Sequence, residues 1–240
     1  MTPFSLSLVL PVTNVVTSLA AIIAECQTVA AAHTTDYEII LADDASSDGT
    51  SELADRLAAI HTPVAVIHYP RRRGYRQVLY DAWGVARGTY VVALALTGPA
   101  TVADIARLLP AAPDHAAIFG YRVPSPQHPA ERLFAAIAKL RVAPGMHDPL
   151  LGLGLFRNDL RDLLLPNGPD ALTHADLYAA ARQQHHKIAQ IAVPSHAETA
   201  ARPSFGGTGA ALGQRGSVVG AGVLIAAGSL WLRYRWRRHP

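Results

Sequence analysis

Four short, almost uncharged apolar runs, each followed by a longer segment of helical pattern, constrain this chain more than any other feature. Ser5–Leu10 (SLSLVL) reads as a buried strand closed by Pro11. Val15–Ala32 is alanine-rich and helical. Tyr37–Ala42 (YEIILA) is a second strand closed by Asp43 and Asp44, and Ser51–Ile60 a second helix. Val64–His68, the helix Gly74–Arg87 and the run Tyr90–Leu96 repeat the alternation. Strands that are apolar along their whole length are buried on both faces, so the pattern predicts an α/β fold with a mostly parallel sheet and helices on both sides. In such sheets ligands bind beyond the carboxyl ends of the strands.

The rest of the 240 residues is less regular. Ala117–Tyr121 suits a strand, Glu131–Val142 an amphipathic helix, Ala171–His185 a helix and Lys187–Val193 a strand. Residues 198–216 are rich in Gly, Ala, Ser and Thr and read as a linker. Ser217–Leu232 carries no charge and is followed by Arg233, Arg235, Arg237 and Arg238. The expected organisation is an α/β domain over 1–197, a linker over 198–216 and an apolar C-terminal helix with a basic tail over 217–240.

Charge and cysteine content exclude several classes. The formal net charge of +3 is owed to the four terminal arginines, so the remaining body is near neutral. A nucleic-acid binder carries its basic residues on a folded face, so no nucleic-acid partner is expected. The tail points instead to an anionic membrane surface. Ser217–Leu232 is short for a span, and a cytosolic domain followed by an arginine tail fits an in-plane or re-entrant helix better. Half of the residues are hydrophobic, which excludes a disordered chain, and the single Cys26 excludes a disulfide scaffold. No basic region precedes the first apolar run, so no secretory signal is expected. His185 and His186 are adjacent and no His-x-x-x-His spacing occurs, which argues against a zinc site. Gly152-x-Gly154 lacks the third glycine of a dinucleotide fingerprint.

The densest chemical signal is YEIILADDASSDGT, residues 37–50. Asp48 suits turn and helix-cap chemistry. Asp43 and Asp44 are harder to assign to capping, because adjacent carboxylates repel and one would suffice. Ribose hydroxyls and base N–H groups are natural donors to such a pair, but a purely structural role stays open.

Together with LVLPVTN (8–14) and RRRGYRQVLYDAWGVARGTYVVAL (71–94), this segment resembles the inverting family-2 glycosyltransferases of GT-A fold, with the polyprenyl-phosphate sugar transferases as the nearest subgroup. Weaker likeness continues through HDPLLGLGLFR (147–157) and IAQIAVPSH (188–196). The resemblance implies a Rossmann-like GT-A sheet. It implies transfer of a sugar from a nucleotide-diphosphate donor to an acceptor, among which a polyprenyl phosphate is the candidate. Pro11, Asp43, Asp44, Arg73 and Gly74 would bind the nucleotide and line the main cleft. Asp148 would be catalytic, with His196 near the acceptor. The setting would be the cytoplasmic face of a membrane, or otherwise the cytoplasm.

Departures from the family pattern touch the same elements. The family's metal-binding Asp-x-Asp falls on Ala95, Leu96 and Thr97, which leaves Mg²⁺ or Mn²⁺ without its carboxylates, so no metal ligand is assigned. Val15 and Val16 stand where an acidic residue often follows Asn14, and Leu151 and Gly154 replace the Cys or Ser and the Lys of the later motif. A catalytically degenerate nucleotide-binding relative acting with a membrane partner is therefore the alternative reading.

Overall fold

The computed structural model describes residues 4–96, 98–124, 129–141, 143–164 and 174–196. These residues belong to one compact unit. The linker 198–216 and the apolar segment 217–240 lie outside the described residues, as does Thr97.

Seven strands form one sheet: β1 (Leu6–Val12), β2 (Tyr37–Asp43), β3 (Val64–His68), β4 (Tyr90–Leu94), β5 (Ala117–Val123), β6 (Leu153–Arg157) and β7 (Ile188–Pro194). Their order is β3-β2-β1-β4-β6-β5-β7. The first four strands are mutually parallel, β6 is antiparallel to both β4 and β5, and β5 pairs parallel with β7. The carboxyl ends of all strands except β6 therefore share one edge.

Helices α1 (Leu19–Ala31), α2 (Thr50–Ile60), α3 (Tyr75–Val85), α4 (Ile105–Leu108), α5 (Pro129–Arg141), α6 (Arg161–Leu164) and α7 (His174–Gln183) complete the unit. The two-residue period of a strand divides the core between the faces. Leu6, Leu8, Leu10 and Val12 of β1 join Ile39 and Leu41 of β2 in one cluster with α1, α2 and α4. Val9, Ile40, Ala42, Val91 and Ala93 face the other way, onto α3 and α7.

Two of the boundaries that differ from those expected have a clear physical reason. β1 runs through Pro11 to Val12. The even positions of β1 point toward β2, as the bond from Leu6 N–H to Asp36 shows. Pro11 therefore turns its missing N–H toward β4, whose ladder with β1 has already ended at Val9 and Ala93. α1 begins at Leu19 rather than Val15, because the amides of Val15 and Val16 donate to Thr50 and Asp48 on the neighbouring loop.

The α3 and α7 face is fastened by aromatics. Trp83 is fully buried, lies 5.2 Å from the Phe156 ring and donates its indole N–H to Asn158 Oδ1 at 3.0 Å. Trp83→Ala removes this packing and orphans the Asn158 acceptor. It is expected to lower the unfolding free energy by about 3–5 kcal/mol, measured by urea denaturation against the parent chain.

Candidate functional site

Strand order reverses at β1, which has β2 on one side and β4 on the other. The crevice beyond the carboxyl ends at such a reversal is where open α/β sheets bind ligands. The loops that follow β1, β2 and β4 meet this edge.

The acidic pair closes β2, and strand alternation sends its two side chains to opposite faces. Asp43 continues the Ile39 and Leu41 face. Its Oδ1 accepts from Ser46 N (3.1 Å) and Ser46 Oγ (2.5 Å), and its Oδ2 accepts from the hydroxyl of Ser51 and meets His68 Nδ1 at 3.3 Å. Asp44 turns toward α3. Its Oδ1 accepts from Arg73 N at 2.6 Å and its Oδ2 from Gly74 N at 3.0 Å. Both residues are about 98% buried or more, at 1% and 2% exposure. The repulsion expected of adjacent carboxylates is thus answered by direction: each has its own donors, and every carboxylate oxygen is occupied.

The rest of the motif welds two loops together. Asn14, at φ 53°, donates its N–H to Ser46 Oγ and accepts from Ser47 N at 2.8 Å. Asp48 accepts from Thr50 N, Thr50 Oγ1 and Val16 N. Burial opposes its charge, yet these donors hold the carboxyl below the usual range. Asp48 is thus the turn residue the sequence suggests, with Gly49 in the left-handed region at φ 93° as the first cap of α2.

Gly74 caps α3 at φ 84° and ψ 155°, a conformation essentially reserved for glycine. The place a Cβ would take there is open space. The Arg73 side chain reaches Asp81 at 3.9 Å and lies 5.4 Å from the Tyr69 ring centroid, while Arg71 and Arg72 are exposed. The structure therefore brings Asp44, Arg73 and Gly74 together directly, and links Asp43 to Asn14 through Ser46, with Pro11 at the end of the adjoining strand.

A hollow of about 580 Å³ lies at the opposite edge, among Phe4, Gly88, Thr89, Tyr90, Pro113, Arg157, Asn158 and Asp159. Both carboxylates of the acidic pair point inward onto their own loops.

The metal position is closed by residue type. Ala95 donates its N–H to Gly152 O and accepts from Gly98 N, each at 2.9 Å. A carbon added at Gly152 would sit 2.9 Å from the Ala95 methyl. Leu96 packs into the core. Among the described residues no group of three or more His, Cys, Asp or Glu side chains is placed to hold an ion. The residues present do not fit the divalent cation that the family resemblance implies.

Asp148 lies on the same edge, in a buried ion pair. Arg122 donates from Nε to Oδ2 at 2.7 Å and from Nη2 to Oδ1 at 3.2 Å, while the amides of Arg122 and Leu150 fill the remaining positions. Arg122 Nη1 also reaches Glu131 at 2.9 Å. Burial disfavours the guanidinium charge, but these carboxylates hold Arg122 above its ordinary range. Asp148 is the counter-ion of Arg122 in this arrangement. His196 Nε2 sits 3.2 Å from Asp104 Oδ1, tying the end of β7 to the turn after β4.

Sequence reasoning passed over His174. It is buried, its Nε2 has no hydrogen-bond partner, and burial pushes it down to about 4 despite a backbone bond at Ala93. A lone histidine at a helix start carries no pattern that would have marked it.

Two expectations follow from this geometry. Asp44→Ala removes both acceptors that hold the Arg73–Gly74 turn. A loss of about 3 kcal/mol is expected, since hydrogen bonds to a charged group contribute about 1.5–3 kcal/mol each. Amide exchange at residues 73 and 74 should quicken, whereas Asp44→Asn keeps one acceptor and should lose less. His174 is neutral in the fold, so the unfolded chain binds the extra proton. Stability should be full above the unfolded value near 6.5 and fall as pH drops from there toward about 4. His174→Leu should flatten that limb in urea midpoints measured between those limits.

No curated protein matches the chain. Residues 7–95 match the family Glycosyl transferase family 2. Among solved structures, mannosyl-3-phosphoglycerate synthase from Rubrobacter xylanophilus superposes with a TM-score of 0.66 at 17% identity, over 99% of this chain and 76% of that one. Glucosyl-3-phosphoglycerate synthase from Mycobacterium tuberculosis, in complex with Mn²⁺, UDP and phosphoglyceric acid, superposes at 0.61 with 18% identity, over 83% and 72%. The same enzyme with Mn²⁺ and UDP-glucose gives 0.59 at 16% identity, over 83% and 72%. Over residues 7–95 this chain is thus similar to the family-2 glycosyltransferases, and its sheet has the fold of the two synthases.

Proposed function

We propose that this chain transfers a sugar from a nucleoside-diphosphate donor to a phosphate-bearing acceptor, with a polyprenyl phosphate as the candidate, at the cytoplasmic face of a membrane. The observation that carries the proposal is the loop pair welded around Asp43 and Asp44 at the strand-order reversal, inside the segment that matches the family. It gives the donor a rigid floor and sets the Arg73–Gly74 turn above α3. The structural neighbours crystallised with UDP, UDP-glucose and phosphoglyceric acid support a nucleotide-sugar donor and an acidic acceptor.

The locked Asp148 favours an acceptor that brings its own nucleophile. A hydroxyl acceptor needs a base with free lone pairs within reach of its proton. A phosphate monoester has its second ionisation near 6 and is largely dianionic at neutral pH, so its oxygen can attack without losing a proton. In that displacement the bond from the acceptor oxygen to the sugar's anomeric carbon forms on one face. The bond to the diphosphate breaks on the other, and the nucleoside diphosphate leaves with the electron pair. The configuration inverts.

A second reading is a nucleotide-binding relative that has lost turnover and acts with a membrane partner. Ala95 at the metal position favours it, since the leaving diphosphate then lacks a cation. Calorimetric titration with UDP, GDP and their sugars, with and without Mn²⁺, separates the readings when joined to a product assay on polyprenyl phosphate and phosphoglycerate. Donor binding that changes less than about tenfold with Mn²⁺, or 1.4 kcal/mol, together with transfer, supports the first. Binding without turnover on either acceptor supports the second, and absence of nucleotide binding rejects both.

A further inference from the structure

Three apolar side chains of α5 face outward. Leu133 is 63% exposed, Ile137 36% and Leu140 83%, at the spacing that aligns side chains along one face of a helix. Among the described side chains of the helix, Ala135 is the buried one. Three of its four charged residues are basic, namely Arg132, Lys139 and Arg141, and the one acid, Glu131, is engaged by Arg122. Arg132 stands exposed beside Leu133, and Lys139 beside Leu140 is half-buried. An outward apolar stripe next to basic residues is the pattern of a helix lying in a lipid–water interface, where the leucines enter the acyl boundary and the cations meet anionic headgroups.

We propose that the outer face of α5 docks on an anionic lipid bilayer. The charge balance of the helix selects this occupant over an apolar protein surface, which would leave Arg132 and Lys139 without anionic partners. The docking face is set relative to the site by the Arg122–Glu131 pair, which joins the first turn of α5 to the carboxyl end of β5. That end lies on the same sheet edge as Asp43 and Asp44. A bilayer under α5 therefore brings lipid-borne phosphates to the edge where the donor loops converge. The surface stands on its own observations and its test does not depend on transfer.

A full-length Leu140→Cys chain labelled with an environment-sensitive fluorophore tests it. Cys26 is fully buried and its thiol is pushed up to about 12, so it does not compete for label. A second chain carries the label at Ala24→Cys, on the exposed side of α1. Vesicles containing anionic phospholipid should shift the emission at 140 to the blue and leave 24 unchanged, with little effect from purely zwitterionic vesicles. Arg132→Gln combined with Lys139→Gln should raise the half-saturating vesicle concentration about thirtyfold, the equivalent of ~2 kcal/mol for two basic residues at an anionic surface. Water-like emission at 140 while the protein floats with vesicles would assign attachment to another segment and overturn the proposal. Blue emission without vesicles would do the same. If it grew with protein concentration it would point to a second copy of the chain, and if it were lost on deletion of 204–240, to the chain's own C-terminal segment.

Discussion

The carboxyl end of β2 is where this structure is decided. Two consecutive carboxylates leave one strand in opposite directions and each recruits a different loop. Asp43 gathers Ser46, Ser51 and His68 on the α2 side, and Asp44 gathers the amides of Arg73 and Gly74 at the start of α3. A buried carboxylate is costly unless every oxygen is bonded, and bonds from backbone amides and hydroxyls to an ionised group are among the stronger ones available. The motif thereby converts a desolvation cost into two fixed loop conformations at the edge where a ligand would arrive.

The second half of the edge is built on side-chain links between segments far apart in sequence. Arg122 joins Asp148 and Glu131, and His196 joins Asp104. These links hold three connections, the loop before β6, the start of α5 and the end of β7, none of which has a regular sequence pattern. Their consequence is chemical as well as structural. The carboxylate that the family likeness marks for catalysis is committed to a guanidinium, and the position marked for a metal carries a methyl group. In the proposed transfer, the nucleophile and the charge balance come from the substrates and from the cationic groups of the chain.

Much of the fold was readable before any coordinates. Apolar runs such as YVVALAL announce strands buried on both faces, and glycines at 49 and 74 mark helix starts that other residues fit poorly. What could not be read were the partners. Nothing in the string Asp-Asp tells which face each side chain takes until the register of β2 against β1 is known. Pro11 looked like a strand end because its missing donor forbids a ladder bond; it continues the strand because β4 has already ended on that side. The helical period of 131–142 was visible, but the side from which the rest of the unit covers it was not.

The sequence by itself determined the alternation of strands and helices, the family likeness carried by residues 37–50, and the loss of carboxylates at 95–97. Each of these is a property of residue type and local order. Only the tertiary structure decided that the acidic pair serves two loops, that Asp148 is bound to Arg122, that β6 runs against its neighbours, and that the leucines of α5 face outward. Those are outcomes of contacts between segments dozens of residues apart, and they depend on register and packing direction, which local composition does not encode.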